Sequence, residues 1–237
     1  MLRCKKCSST NVKKNGLTAA GRQKYHCKAC GIYTTTDDAA RERAAKEALA
    51  EKLHRERVSQ RGIARVTGMS RSTIIKRLRK KTFRPIGETI TPSIERPILE
   101  MDELWSYVDS KGNEIWVWMA LERQTRKVVG LAFGDRSADT CRELWQSLPA
   151  DYRKRAIIYT DEWSAYPCVL PSKRHRPVPK EAGETNHIER LNNTLRQWCA
   201  NLVRKTISFS KDLELHKTRI RMVIEYCNAR TDLWAAA

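Results

Sequence analysis

The sequence predicts a multidomain α/β chain: a small cysteine-knuckled ribbon, then a helical module, then a larger mixed α/β domain. Three observations carry this reading. Four of the eight cysteines form two C-x-x-C pairs within the first 30 residues. A basic stretch rich in Ala, Glu, Lys and Arg follows, a composition that favours helix. From Ile98 the pattern changes to apolar runs of strand length separated by short turns.

Residues 1–33 are read as the ribbon. "CKKC" supplies Cys4 and Cys7, and after 19 residues "CKAC" supplies Cys27 and Cys30. Two knuckles at that separation place four thiolates for tetrahedral Zn²⁺. So short a basic segment cannot build an apolar core, so the metal would supply its folding energy. A redox dithiol or disulfides are the competing readings. Matched pairs in a basic chain without a signal peptide favour zinc. Cys141, Cys168, Cys199 and Cys227 have no partner spacing and read as ordinary thiols. His26 stands beside Cys27, but the four cysteines already complete a site.

Residues 34–83 are read as the helical module. Beyond the polar loop "TTTDD", residues 39–57 form one helix. In Val58–Lys81, Ile63, Val66 and Met69 face inward, joined by Ile74, Ile75 and Leu78 on a second helix. Gly68 ends the first of these helices and Ser70 stands at the N-cap of the next. Helix, glycine turn and basic helix read as a helix-turn-helix, whose second helix enters the major groove of double-stranded DNA. Arg71, Ser72, Thr73, Lys76 and Arg77 are the expected contacts. The plain alternative is a helical hairpin with solvated charges. Pro85, Pro92 and Pro97 mark residues 84–97 as a linker.

The charge is uneven. Of 46 Lys+Arg and 27 Asp+Glu, residues 1–97 hold 24 and 8, which places +16 of the net +19 in the first two-fifths of the chain. Such basic density points to phosphate contacts with nucleic acid through counterion release. A solvated surface or an anionic-membrane patch is the alternative. No apolar run approaches the roughly 20 residues of a membrane span, and "MLRCKKCSST" has no apolar signal core. A soluble cytoplasmic protein is expected.

The domain expected over 98–237 opens with "ILEMDELWSYVD", a Lys111-Gly112-Asn113 turn, "EIWVWMALE" and "KVVGLAFGD", an antiparallel meander. An amphipathic helix from about Ala138 to Leu148 and the strand "RAIIYTD" extend it into a mixed α/β sheet. After Pro179 the apolar residues Ile188, Leu191, Leu195, Trp198 and Leu202 fall on one helical face.

Three acids stand out here. Asp102 lies mid-strand, where Asp is a poor residue. Asp161 directly follows the apolar "AIIYT", and Glu189 lies on the late helix beside its apolar face. Carboxylates from two strands and a facing helix can converge on a pair of Mg²⁺ ions, since an oxygen cage suits a hard cation. Two such ions, about 3.5–4 Å apart, activate an attacking oxygen and stabilise the leaving oxygen of a phosphodiester. Each acid also has a plain alternative. Asp102 reads equally as an edge-strand residue facing water, with Glu103 having as good a claim. Asp161 reads as a turn residue. Glu189, three residues after Asn186, reads as the reciprocal partner of an N-cap. Glu100, Glu103, Asp135, Glu162 and Glu184 stay open as candidates.

"EMDELWSYV", "TDEWSAY" and "HIERLNNTLRQWCANLVRKTISFSKDLELH" resemble, in order and wording, the transposases of the IS-One family of bacterial insertion sequences. The ribbon followed by a helix-turn-helix is similar to that family's DNA-binding half. The resemblance implies a DDE transposase with a ribonuclease-H-like mixed α/β catalytic core. In such a core the first Asp lies on the first strand, the second just after the fourth, and the Glu on a late helix. Asp102, Asp161 and Glu189 occupy those positions and would hold Mg²⁺ or Mn²⁺. A basic residue about two helical turns beyond the Glu is also implied, and Arg196 matches. Arg190 and Asn193 are weaker neighbours of the site, and Lys205 in "VRKTISFSK" is a further expected DNA contact.

The implied activity is metal-dependent cleavage at the terminal inverted repeats of the element. The freed 3′-hydroxyl then attacks target DNA without a covalent protein intermediate. Joining two ends implies a homodimer or higher assembly on DNA, in a bacterial or archaeal cytoplasm at the nucleoid. The rivals are a transcription regulator that binds DNA without cutting it and a metal-dependent nuclease that cuts without joining. The family often makes its enzyme by frameshifting between two reading frames, whereas this chain reads continuously, as in a single-frame member or a fused form. The closing "TDLWAAA" carries no recognisable motif.

Overall fold

Short strands in the ribbon, helices after it and long strands beyond Ile98 are all present. The computed structural model describes residues 2–230 apart from 20, 36, 37, 89 and 93. The closing "TDLWAAA" and part of the "TTTDD" loop lie outside the described residues.

Strands β1 (Val12–Leu17), β2 (Gln23–Cys27) and β3 (Tyr33–Thr35) form an antiparallel three-stranded sheet. Among the described residues of this ribbon only Cys4 and Cys27 are buried, so the sheet has no apolar core of its own. The two knuckles close alike. Ser8 N donates to Cys4 O and Gly31 N to Cys27 O, both at 2.9 Å. Ser8 and Gly31 both take the left-handed backbone, at φ 57° and 74°. Glycine adopts it freely, and serine at a cost of about 1 kcal/mol.

Helices α1 (Asp38–Arg55), α2 (Gln60–Thr67) and α3 (Arg71–Arg79) follow. Ser59 Oγ accepts from Gly62 N, and Ser70 Oγ from Thr73 N, so both short helices carry the N-caps that serine supplies. Gly68, at φ 68°, ends α2. Ile63, Ile74 and Leu78 are buried as their spacing predicts, but Val66 is 61% exposed. The inward position goes instead to Thr67, one full turn from Ile63, whose hydroxyl bonds the Ile63 carbonyl at 2.8 Å. The core of α1–α3 is completed by Leu215 and Met222 of α7 (Leu213–Ala229). Arg79 adds an ion pair at 2.6 Å to Asp212, the N-cap of α7.

The larger sheet has the order β6 (Val128–Gly134), β5 (Ser110–Glu122), β4 (Ile98–Val108), β7 (Ile157–Thr160), β8 (His175–Pro177). Strands β4, β5 and β6 form the antiparallel meander. Strands β7 and β8 add to it in parallel. One face packs on α4 (Ala138–Ser147) and α5 (Ala150–Arg155) through Met101, Trp118, Leu144, Tyr152 and Ile158. The other packs on α6 (Asn186–Trp198) and α7 through Leu104, Met119, Leu191, Leu195 and Ile220. This is a three-layer mixed α/β arrangement. Strand β4 is central, so the edge-strand alternative for Asp102 does not hold.

Three further details differ from the sequence reading. The expected Lys111-Gly112-Asn113 turn lies inside β5, and the chain reverses at Asp109, which takes the left-handed backbone at φ 67°. Helix α6 stops at Trp198, and Leu202 reaches the core from a 3-10 turn, Ala200–Leu202, because Cys199 has turned extended. In the segment 84–97, Ile86 and Ile90 pack on the two cores, one on each, so it is more than a tether. No helix among the described residues is long and apolar enough to cross a membrane.

Candidate active site

The parallel register of β4 with β7 sets the geometry. Ile98 pairs with Ile157, Leu99 with Ile158 and Glu100 with Tyr159. Continuing that register by two places brings Asp161, just past β7, level with Asp102 on β4. Across from them stands Glu189 on α6. Asp102, Asp161 and Glu189, with Met101 and Thr185, line one cavity of about 130 Å³. Glu189 accepts from Thr185 Oγ1 at 3.2 Å, and Trp163 N donates to Asp161 Oδ1 at 3.0 Å.

Strand pleating separates the two acids that the sequence left in competition. Successive side chains point to opposite faces of a sheet. Asp102 faces α6 and accepts from Asn192 Nδ2 at 2.6 Å. Glu103 turns to the α4 side, where its carboxylate is almost fully buried and pairs with Arg136 at 3.2 Å. Even so, one oxygen each of Asp102, Glu103 and Asp161 lie within 4.8 Å of one another. Burial, and then the charges of Glu103, Asp161 and Glu189, raise the Asp102 carboxyl to about 7. Burial and the charge of Asp161 raise Glu103 as well.

The capping alternative for Glu189 gives way to a different arrangement. The N-cap position of α6 is Thr185, and its side chain makes no cap bond. The first-turn amides of His187 and Ile188 donate instead to Glu100 Oε2, both at 3.0 Å. Glu100 is fully buried and also binds Arg123 at 2.7 Å. Strand β4 therefore caps the helix that carries Glu189. Asp135 accepts from Ser137 and Thr140 at the start of α4. Glu184 pairs with Arg123 at 2.9 Å, and Glu162 is exposed.

The expected basic contacts divide. Arg196 lines a wider cleft, about 360 Å³, that shares Asp102, Asp161 and Glu189 with the smaller cavity. Asn193 lines it too, whereas Arg190 and Lys205 are exposed outside its lining. The neighbour of Lys205, Arg204, lines the cleft in its place. On α3, Ser72 and Thr73 hydroxyls lie 2.9 and 2.8 Å from Ser70 Oγ. Arg77 pairs with Glu47 at 3.0 Å. Lys76 is exposed, and Arg71 faces a groove between α2 and α7.

Sequence reading missed Arg136, Arg204, Asn192, Trp105 and Trp116, all of which line the cleft. Arg136 is held between Trp116, at 4.8 Å, and Trp163, at 3.8 Å, with Asp161 at 3.9 Å. An arginine next to "GD" in a basic chain gives no signal of this by itself. Only the facing tryptophans do.

The donor chemistry suits the expected metals, although the acids that cluster are Asp102, Glu103 and Asp161, with Glu189 in the cavity lining outside that cluster. Around Asp102 the donors are all oxygen, and the crowding that raises its carboxyl is relieved by a hard cation. Asn192 Oδ1 beside it is buried without a hydrogen-bond partner. In the ribbon, Cys4, Cys7, Cys27 and Cys30 offer sulfurs all within 4.8 Å of one another. The Cys4–Cys30 and Cys7–Cys27 separations are 3.5 and 3.6 Å. Tetrahedral Zn–S bonds of about 2.3 Å imply sulfur separations of about 3.8 Å, which matches. His26 stacks on Tyr33 at 4.5 Å and takes no part.

The profile of the IS1 transposase family matches residues 97–229, which hold β4, β7 and α6. The chain belongs to the IS1 transposase family. It is therefore a transposase of the DDE type, the family its "EMDELWSYV" and "IERLNNTLRQ" stretches resemble. Insertion element iso-IS1n protein InsB of Shigella dysenteriae is 38% identical over 131 residues, 54% of this chain and 94% of that protein. Insertion element IS1 4 protein InsB of Escherichia coli strain K12 is 42% identical over 118 residues, 49% of this chain and 67% of that protein. Among solved structures, the HTLV-2 integrase catalytic core domain in complex with magnesium is 13% identical, at a TM-score of 0.35. It covers 56% of this chain and 86% of that one, and at that score carries no argument.

Proposed function

We propose that this IS1 transposase binds the terminal inverted repeats of its element, cleaves the DNA ends and transfers them to target DNA. The carrying observation is the placement of Asp102 on β4 and Asp161 just past the parallel strand β7, with Glu189 lining the same cavity. These three carboxylates would hold one or two Mg²⁺ or Mn²⁺ ions, which when bound supply charge neutralisation and Lewis acidity at the phosphodiester. Asn192 fixes the Asp102 carboxylate in rotation, and the Trp163 amide does the same for Asp161. Arg136, clamped between two tryptophans, neutralises Glu103 without leaving the cleft. Arg196 and Arg204 meet the negative charge of the scissile strand at the open side.

Water is the first attacking group, and the 3′-hydroxyl it frees is the second. The cleft then serves both steps without a covalent protein intermediate. The four-cysteine ribbon, with Zn²⁺ bound, and the α2–α3 pair form the part that reads the element ends. Arg71, Ser72, Thr73, Lys76 and Arg77 lie on or at the start of α3. Two ends must be held together, so the working form is a homodimer or larger assembly on DNA. The test is a strand-transfer assay with labelled element ends and Mg²⁺. Wild type nicks and joins, whereas Asp161→Ala binds but does neither, a loss of at least about 10³-fold. Undiminished joining by Asp161→Ala would sink the assignment. Binding without nicking in wild type favours a regulator, and nicking without joining favours a nuclease.

A further inference from the structure

A groove of about 570 Å³ lies where α2 and α3 meet the C-terminal end of α6 and the helix α7. Four arginines line it: Arg57 between α1 and α2, Arg61 in the first turn of α2, Arg71 at the start of α3, and Arg219 on α7. Among the described residues no carboxylate lines it. Some arginines elsewhere have acid partners, as Arg77 has Glu47, Arg79 Asp212, Arg123 Glu100 and Arg136 Glu103. Among the described residues none of the four groove arginines has a carboxylate within ion-pair distance.

Four unpaired guanidiniums in one groove repel one another, and a folded chain tolerates that where an anion will arrive. The groove is also partly desolvated. Burial and then Arg71 lower the Arg219 guanidinium, while burial and then the charge of Arg219 push His54 and His216 down to about 4. Both histidines thus stay neutral and add no charge. His54 Nδ1 is buried without a partner. Trp198 lies under Arg57, at 4.9 Å, and Arg57 also donates to the Gln197 carbonyl at 3.3 Å.

The occupant follows from charge and position. A second copy of a chain with net charge +19 is a poor partner for four unpaired cations. The groove and the catalytic cleft share α6. Trp198 borders the first and Glu189 the second, nine residues or about 14 Å apart along the helix. That is about four base-pair steps of duplex DNA at about 3.4 Å each. Arg196 and Arg204 lie on the cleft side, so cations run from the groove toward the carboxylates.

We propose that this groove binds the DNA sugar-phosphate backbone about four base pairs from the reacting bond. Arg61 and Arg71 grip it from the α2–α3 side and Arg219 from α7, which couples end binding to placement in the cleft. The proposal rests on the transposase reading.

The test is fluorescence anisotropy with the full chain on two unrelated duplexes across a salt series. Arg61→Gln and Arg219→Gln should each flatten the plot of log affinity against log salt by about 0.9, equally on both duplexes. Melting temperatures, read in parallel, show whether each variant folds. If Arg219→Gln does not fold, the exposed Arg61 decides alone. Slopes unchanged in the folded variants overturn the groove and leave the transposase reading standing. Wild type that binds neither duplex fails that reading, and this proposal with it. Polyglutamate bound in preference to duplex, and released in the variants, assigns the groove to an acidic protein and overturns the proposal.

Discussion

At the residue scale, Asp102 shows what a buried carboxylate costs a fold. Its carboxyl stands at about 7 because burial and three neighbouring acids disfavour the charge. An ordinary unfolded Asp ionises near 3.9. A group raised on folding contributes stability that is present below the unfolded value and is lost as pH rises through the folded one. The metal-free protein should therefore lose stability between about pH 4 and 7, and regain it on Mg²⁺ or Mn²⁺ binding. Asp102→Asn removes the charge and keeps an oxygen for Asn192. In chelator at pH 8 it should be more stable than wild type, by on the order of 1–4 kcal/mol, while inactive. Thermal melts from pH 4 to 8 check this, and a less stable Asp102→Asn at pH 8 would count against it. Metal affinity should rise up to tenfold per pH unit below 7, because one proton leaves as the ion enters. Calorimetry in two buffers of different ionisation enthalpy reads that proton directly.

At the scale of elements, the question is how β4 and α6 come to present their acids to each other. Glu100 and Asp102 are two residues apart, so they share a face of β4, and both reach α6. Glu100 takes the two amides that Thr185 leaves uncapped, so one strand both anchors the helix and supplies the facing carboxylate. Glu100→Ala strands those amides and takes one of two carboxylate partners from the partly buried Arg123, which keeps Glu184. It should cost about 3 kcal/mol in denaturant unfolding and lower cleavage at least tenfold. Glu100→Gln keeps an acceptor and should retain most of both. Equal behaviour of the two variants would remove the capping role. The sequence could show that an acid in "ILEMDELW" was out of place, and the strand, helix and glycine-turn signals were local enough to read. It could not say which face each acid took, because pleat direction follows from the neighbouring strands. Nor could it show that the α6 cap comes from a strand 87 residues away, since capping signals are read only from adjacent residues.

At the scale of the whole molecule, what matters is where one cooperative unit ends. Among the described residues the ribbon buries only Cys4 and Cys27, so its order would depend on its sulfurs and the metal they can hold. The helices α1–α3 look self-sufficient in the sequence, with caps, a turn and six inward apolar residues. In the fold their core is shared with Leu215 and Met222 of α7, and α7 in turn packs on the catalytic sheet through Ile220 and Ile224. Tertiary partners from the far end of a chain leave no local signal, which is why a separate module was the natural reading. Two results follow. Met222→Ala should cost about 2–5 kcal/mol and lower a melt followed on the sheet tryptophans as much as one followed on helix content. A fragment of residues 34–97 should show helix without a cooperative transition, because Ile74 and Leu78 then face water. A sharp, independent melt of that fragment would show instead that α1–α3 fold alone. Helices α1–α3 and the larger sheet would then be joined only by the segment 84–97. With the shared core, a load on α3 reaches α7, and α7 lies against α6, the helix that holds Glu189.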